Sequence, residues 1–197
     1  MENRTITEQG QAAFDAIVDT LARAFQDDPS FCWMLPDPVV RKARLPGFFR
    51  IVVKEDLAAG RAPHAPDMEV ATLWRAPGRQ KHLPLGQLRT NLAFLNVFRA
   101  GITRADTLGK SLAAHHPKGD HWHLRYIGVL PEAQGKGWGG LALREGLARA
   151  DADGMPAYLE TAKSSNMELY SRFGFVVAEE WDIPGGGPHF WSMMYRG

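Results

Sequence analysis

A chain of 197 residues suits one compact domain with a substantial core, and 45% hydrophobic with 23% charged residues excludes a disordered or coiled-coil class. A formal net charge of +1 removes the electrostatic ground for a nucleic-acid or anionic-membrane partner. The single cysteine, Cys32, excludes an internal disulfide, and its neighbours Phe31, Trp33 and Met34 speak for packing and not for thiolate activation.

The opening MENRTITEQG has no apolar core of signal-peptide type, and no apolar run approaches bilayer length, so a cytoplasmic location is expected. Phe14, Ile17, Val18, Leu21 and Phe25 recur at helical spacing and predict a helix over Gln11 to Phe25, ended by Asp27-Asp28-Pro29. Asp37-Pro38 reads as a helix N-cap and first residue. Pro46 is expected to interrupt that helix, and Phe48, Phe49, Val52, Val53 and Leu57 to form a separate one up to Gly60. Arg61 to Asp67 reads as a loop, Glu69 to Trp74 as a strand, and Leu85, Leu88, Leu92 and Leu95 as another helix. A short helix begins near Thr103. The C-terminal half alternates: a strand from His121 to Val129, a helix from Trp138 to Ala150, a strand from Ala157 to Thr161, and a helix from Asn166 to Phe173. Strands at Phe175 to Trp181 and Trp191 to Tyr195 close the chain. This order predicts a single α/β (α+β) domain over residues 1–197, with helices on both faces of a central sheet.

The chemistry concentrates in YIGVLPEAQGKGWGGLALREGL, Tyr126 to Leu147, where glycines stand between a strand and a helix. Backbone N–H groups without side chains in front of them, at the positive end of a helix, form a phosphate site. Three phosphate-binding patterns compete. A P-loop fails because Gly137, not Ser or Thr, comes after Lys136. The dinucleotide fingerprint is formally met by Gly135, Gly137 and Gly140, which keeps a nucleotide-dependent oxidoreductase as an alternative. Against it, Pro131 to Gln134 intervenes between strand and glycines, and too little chain remains for a doubly wound domain.

The third pattern is Val129-x-Pro131 and then Gln134-Gly135-Lys136-Gly137-Trp138-Gly139, with Asn166-Met167-Glu168-Leu169-Tyr170-Ser171-Arg172-Phe173-Gly174-Phe175 downstream. Together these resemble the two signature blocks of the GNAT N-acetyltransferase superfamily. The stretch Phe25 to Asp37 is similar to a puromycin N-acetyltransferase-like subset. The resemblance implies a mixed, mostly antiparallel central sheet and an acetyl-CoA-dependent N-acetyltransferase acting on a small-molecule primary amine by direct attack. It also implies that Ile127, Val129, Gln134, Gly135, Lys136, Gly137, Trp138, Gly139, Gly140, Asn166 and Tyr170 contact the acetyl-CoA cosubstrate. In that family the strand before the glycine turn bulges and splays from its neighbour, here near Gly128-Val129. A non-catalytic acyl-CoA-binding module is the further alternative.

An alkylamine with a pKa of about 10 arrives as ammonium and needs a base, while a departing thiolate benefits from an acid. Tyr170 stands where the resemblance implies the acid, and His123 where it implies the base, with Glu160 as rival base or orienting carboxylate. His121, His123 and Arg125 share a strand face by alternation. The acceptor is expected against Phe31, Trp33 and Trp74, with Asp27 and Asp28 near it. His115, His116, His121 and His123 lack ligand spacing for a metal, and none is expected. A monomer or homodimer is expected.

Overall fold

Two aspartates punctuate the N-terminal helices of the computed structural model, which describes residues 2–59, 68–78 and 92–197. Helix α1 spans Glu2–Ala24, longer at its start than the apolar periodicity predicts. Asp28 then caps a short helix α2, Pro29–Met34, its carboxylate accepting from the N–H groups of Ser30 at 2.9 Å and Phe31 at 3.3 Å. The Asp27-Asp28-Pro29 turn therefore both ends α1 and starts a helix too short for apolar periodicity to announce. Asp37 caps α3 in the same way, accepting from Val39 N–H at 2.8 Å.

Helix α3 runs unbroken from Pro38 to Ala59 with Pro46 inside it, which corrects the expected interruption. Proline removes one backbone hydrogen bond. The helix tolerates the loss because Leu45, Phe48, Phe49, Val52 and Val53 bury one continuous face on both sides of Pro46. Strand β1 is Val70–Arg75, α4 covers 92–98 and α5 is Ile102–His115. Leu85, Leu88 and the loop 61–67 lie outside the described residues.

The C-terminal half matches its sequence closely: β2 Trp122–Val129, α6 Trp138–Ala152, β3 Ala157–Thr161, α7 Met167–Arg172, β4 Val176–Asp182 and β5 His189–Tyr195. The five strands form one sheet in the order β1-β2-β3-β5-β4, antiparallel throughout except for the β2–β3 pair. Helices α1 and α3 pack on one face of β1 and β2, and α6 packs on the other. The two faces have separate cores, one joining Leu21, Phe49, Leu73 and Phe190, the other Trp74, Leu124, Leu143 and Phe175.

Strand β2 positions the site. It pairs with β3 only over Trp122–Leu124 and then parts from it, as the splay expectation requires. The bulge lies three residues earlier than Gly128: Leu73 pairs Tyr126 and Trp74 pairs Leu124, so Arg125 is the extra residue. Parity shifts there. Arg125 and Tyr126 thus share the face of His123, while Leu124 and its partner Trp74 belong to the opposite core.

Candidate active site

Two recesses meet on the splayed side of β2. The smaller, of about 430 Å³, is lined by Val129, Gln134, Gly135, Gly137, Trp138, Gly139 and Gly140 together with Lys163, Leu169 and Arg172. The larger, of about 950 Å³, is bounded by α2, α3, α5 and the His123 to Ile127 stretch. Phe25, Asp28, Ile127, Asn166 and Tyr170 line both recesses and form their common border.

In the smaller recess, Gly135 and Gly137 have φ of 78° and 87°, a left-handed conformation that favours glycine, and nothing stands within 4 Å of where a Cβ would project. Gly137 leads into α6, a helix of 15 residues whose start no side chain caps. Its first-turn N–H groups are therefore available to an anion. Gln134 folds back so that its side-chain amide donates to the Val129 carbonyl at 3.3 Å, tying the turn to the end of β2. Lys163 adds positive charge that no sequence pattern marks, and Arg172, from the second signature block, adds a guanidinium that pairs with Glu168, whereas Lys136 is exposed and does not line the recess. The donor set suits a diphosphate. Gly128 serves a different purpose: a Cβ there would come within 2.8 Å of the Ala24 side chain, so this glycine lets α1 lie close on β2.

At the border, Tyr170 is buried, and burial, with the Asp28 carboxylate adding to it, pushes its hydroxyl above the ordinary tyrosine range while the Asn166 side chain pulls the other way. A protonated phenol facing both recesses can donate to a leaving group. Burial likewise raises Asp28 above the usual carboxylate range, against the pull of the α2 N–H groups it caps and of Lys163.

The larger recess holds a polar chain. His123 Nε2 lies 2.8 Å from Glu160 Oε2, and His116 Nδ1 lies 3.6 Å from the other Glu160 oxygen. His121 Nε2 meets His116 Nε2 at 3.2 Å, and His121 Nδ1 donates to the Gly119 carbonyl at 2.9 Å. Tyr158, the parallel-register partner of His123, sets its ring 5.1 to 5.5 Å from all three imidazoles. Burial alone would raise Glu160, but His123 and His116 hold it down to about 2. Burial lowers His121, with His116 and His123 adding to the effect and the Gly119 carbonyl opposing it, so its Nε2 accepts from His116. With Nε2–H given to an ionised Glu160, a neutral His123 ring has Nδ1 as its basic nitrogen. Among the described residues, no group of three or more His, Cys, Asp or Glu side chains is placed to hold a metal ion.

Of the expected acceptor residues, Phe31 lines the larger recess and is 3% exposed. Trp33 packs half-buried against the core with the Arg104 guanidinium 5.9 Å over its ring, away from the recess lining. Trp74 is a correction: it is fully buried in the opposite core against Gly146 of α6, because its neighbour Arg75 takes the recess-facing position. Arg75 and Arg125 line the recess and were not proposed from sequence; their meeting depends on strand register, which a single strand's pattern does not encode. A mostly antiparallel sheet also removes the nucleotide-dependent oxidoreductase alternative, which needs a doubly wound parallel one.

Residues 99–175 match the acetyltransferase (GNAT) family. A protein of Schizosaccharomyces pombe, described as uncharacterized N-acetyltransferase C550.08, is 28% identical over 179 residues, covering 81% of this chain and 69% of its own. The crystal structure of a histone acetyltransferase HPA2 and related acetyltransferase from Corynebacterium glutamicum superposes with a TM-score of 0.69 at 28% identity, covering 93% of this chain and 91% of that one. Arylalkylamine N-acetyltransferase 2 from Aedes aegypti shares the fold with a TM-score of 0.61 at 12% identity, covering 94% and 95%. Both signature blocks, the splayed strand and these likenesses lead to one assignment: the chain carries an acetyltransferase domain of the GNAT family and is an acyltransferase.

Proposed function

We propose that the chain transfers an acetyl group from acetyl-CoA to a primary amine of a small molecule by direct attack, without an acyl-enzyme. The observation that carries the reading is the common border of the two recesses at Tyr170, Asn166, Asp28 and Ile127. Acetyl-CoA, the cosubstrate general to the family, supplies an activated thioester. Gly135, Gly137, Trp138, Gly139 and Gly140 would hold its diphosphate by main-chain N–H groups, with Lys163 and Arg172 adding charge. Gln134 acts indirectly, bracing the turn.

The acceptor enters the larger recess as an ammonium. His123 takes its proton on Nδ1, and the resulting imidazolium is stabilised by Glu160 at 2.8 Å. Glu160, held ionised, is thereby an orienting carboxylate and a poor base. His116 and His121 extend the chain toward the Gly119 carbonyl and spread the transferred charge. The freed amine attacks the carbonyl carbon, and the C–S bond breaks as Tyr170 gives its proton to the departing sulfur. The second proton shed by the acetylated nitrogen returns the phenolate to phenol, leaving a neutral amide and free coenzyme A. Cys32, whose thiol burial pushes up, is unsuited to act as a nucleophile.

A thiol-release assay over a panel of primary amines tests this directly. Acetylation that consumes one acetyl-CoA per amide formed, with no acetyl group left on the protein, is the expected result. Tight acetyl-CoA binding without release on any amine would instead restore the non-catalytic binding module, and labelled protein after gel filtration would exclude direct attack.

A further inference from the structure

Two arginines bracket the base. Arg75 is the cross-strand partner of His123, Arg125 is the bulged residue two positions further along β2, and both line the larger recess. Between them lies a single carboxylate from α3, Asp56, whose side chain is 2% exposed. It accepts from Arg75 Nε at 2.7 Å and from Arg125 Nη1 at 3.1 Å to each oxygen. Glu55, next to Asp56 on the same helix, adds to the field at Arg125. The Arg125 guanidinium lies 5.4 Å over the Tyr126 ring. Among the described residues, no hydrogen bond engages the two Nη groups of Arg75 or the Nε and Nη2 of Arg125.

The other carboxylates of this wall are committed elsewhere. Asp28 caps α2, Asp106 pairs with Lys110 at 2.7 Å, and Glu160 pairs with His123. A buried aspartate needs only one guanidinium to satisfy it, and a second arginine on the same side brings a second charge into the recess. Planar forks with spare parallel N–H groups match a carboxylate. The facing wall, with Phe25, Phe31, Phe48 and Phe98, is aromatic.

We propose that the acceptor is an amino carboxylate with an apolar or aromatic body, whose carboxylate is gripped by Arg75 and Arg125 while its amine meets His123. This rests on the acetyl-transfer reading above and names its substrate class. A simple diamine or polyamine would bring further positive charge against two guanidiniums.

Isothermal titration of the full chain with 3-phenylpropionate and its uncharged analogue 3-phenylpropanamide tests the grip without requiring turnover. The carboxylate is expected to bind about tenfold tighter or better, as for a charge-assisted pair. In Arg75→Gln and Arg125→Gln that advantage should fall toward unity, with far-ultraviolet circular dichroism checking the fold. Equal binding of the two probes to the wild-type chain overturns the proposal with no variant needed, and so does an advantage that survives in both folded variants. Thiol release with phenylalanine against 2-phenylethylamine separates the two levels: a higher kcat/KM for the decarboxylated amine sinks the carboxylate grip alone. Retained probe discrimination with no acetylation of any amine sinks acetyl transfer alone.

Discussion

In the proposed mechanism His123 and Tyr170 divide the proton work, and each role has a kinetic signature. For His123→Ala, a loss in kcat/KM of about 100-fold is expected at neutral pH, shrinking as pH rises toward the amine's own pKa, where the base has less to do. A loss independent of pH would assign His123 to packing. For Tyr170→Phe, kcat should fall by a similar factor of about 100 while acetyl-CoA affinity by titration stays near wild type, because the hydroxyl acts on the leaving sulfur and not on the ground state. That both residues line the recesses was legible in sequence, since the two signature blocks carry fixed spacings, and so was the place of Glu160 near the end of an apolar strand. His116 was read only as a metal candidate. Its role depends on the end of α5 reaching the β2–β3 pair, a contact between segments far apart in the chain. Arg75 escaped for the same reason, and Lys163 because a surface cation has no distinguishing pattern around it.

The start of α6 does at the level of an element what no side chain does. A valine at Gly137 would have to adopt φ near 87°, at a backbone cost on the order of 1–2 kcal/mol, and would project into the space where the diphosphate is proposed to lie. Gly137→Val should therefore weaken coenzyme A binding by tenfold or more, and an unchanged dissociation constant would move the phosphate site elsewhere. Further along the same helix, a Cβ on Gly146 would stand 2.2 Å from the Trp74 ring, so Gly146→Ala overpacks the second core. The expected cost is about 1–3 kcal/mol, read as a fall in Tm of several degrees by calorimetry. Element boundaries were read well where aspartate and proline mark them, as at Asp27-Asp28-Pro29 and Asp37-Pro38. They were misread at Pro46, where burial of one helix face outweighs a missing hydrogen bond.

Across the whole molecule, the sheet ties the charged groups of the site to stability. Glu160 has its value lowered from 4.5 to about 2 in the folded chain. Its ion pairing thus stabilises fully above the unfolded value and is lost as pH falls from about 4.5 toward 2. Chemical denaturation of wild type and Glu160→Gln should show a stability gap that is constant above about pH 5 and closes through that window; a gap unchanged down to about pH 2.5 would refute the assignment. The mixed sheet with helices on both faces was foreseen from element order and from the resemblance, but its bulge was placed at Gly128-Val129 because alternation alone does not reveal where an extra residue sits. That extra residue governs more than its own side chain. Excising Arg125 would restore regular pairing with β1 and remove the local bend of β2, while Tyr126 stays opposite Leu73 and Ile127 opposite Thr72, on the faces they now occupy. Strand length and site chemistry are thus joined at one position: a single-codon deletion of Arg125 would keep every downstream residue on its own side of the sheet and take one guanidinium out of the recess wall.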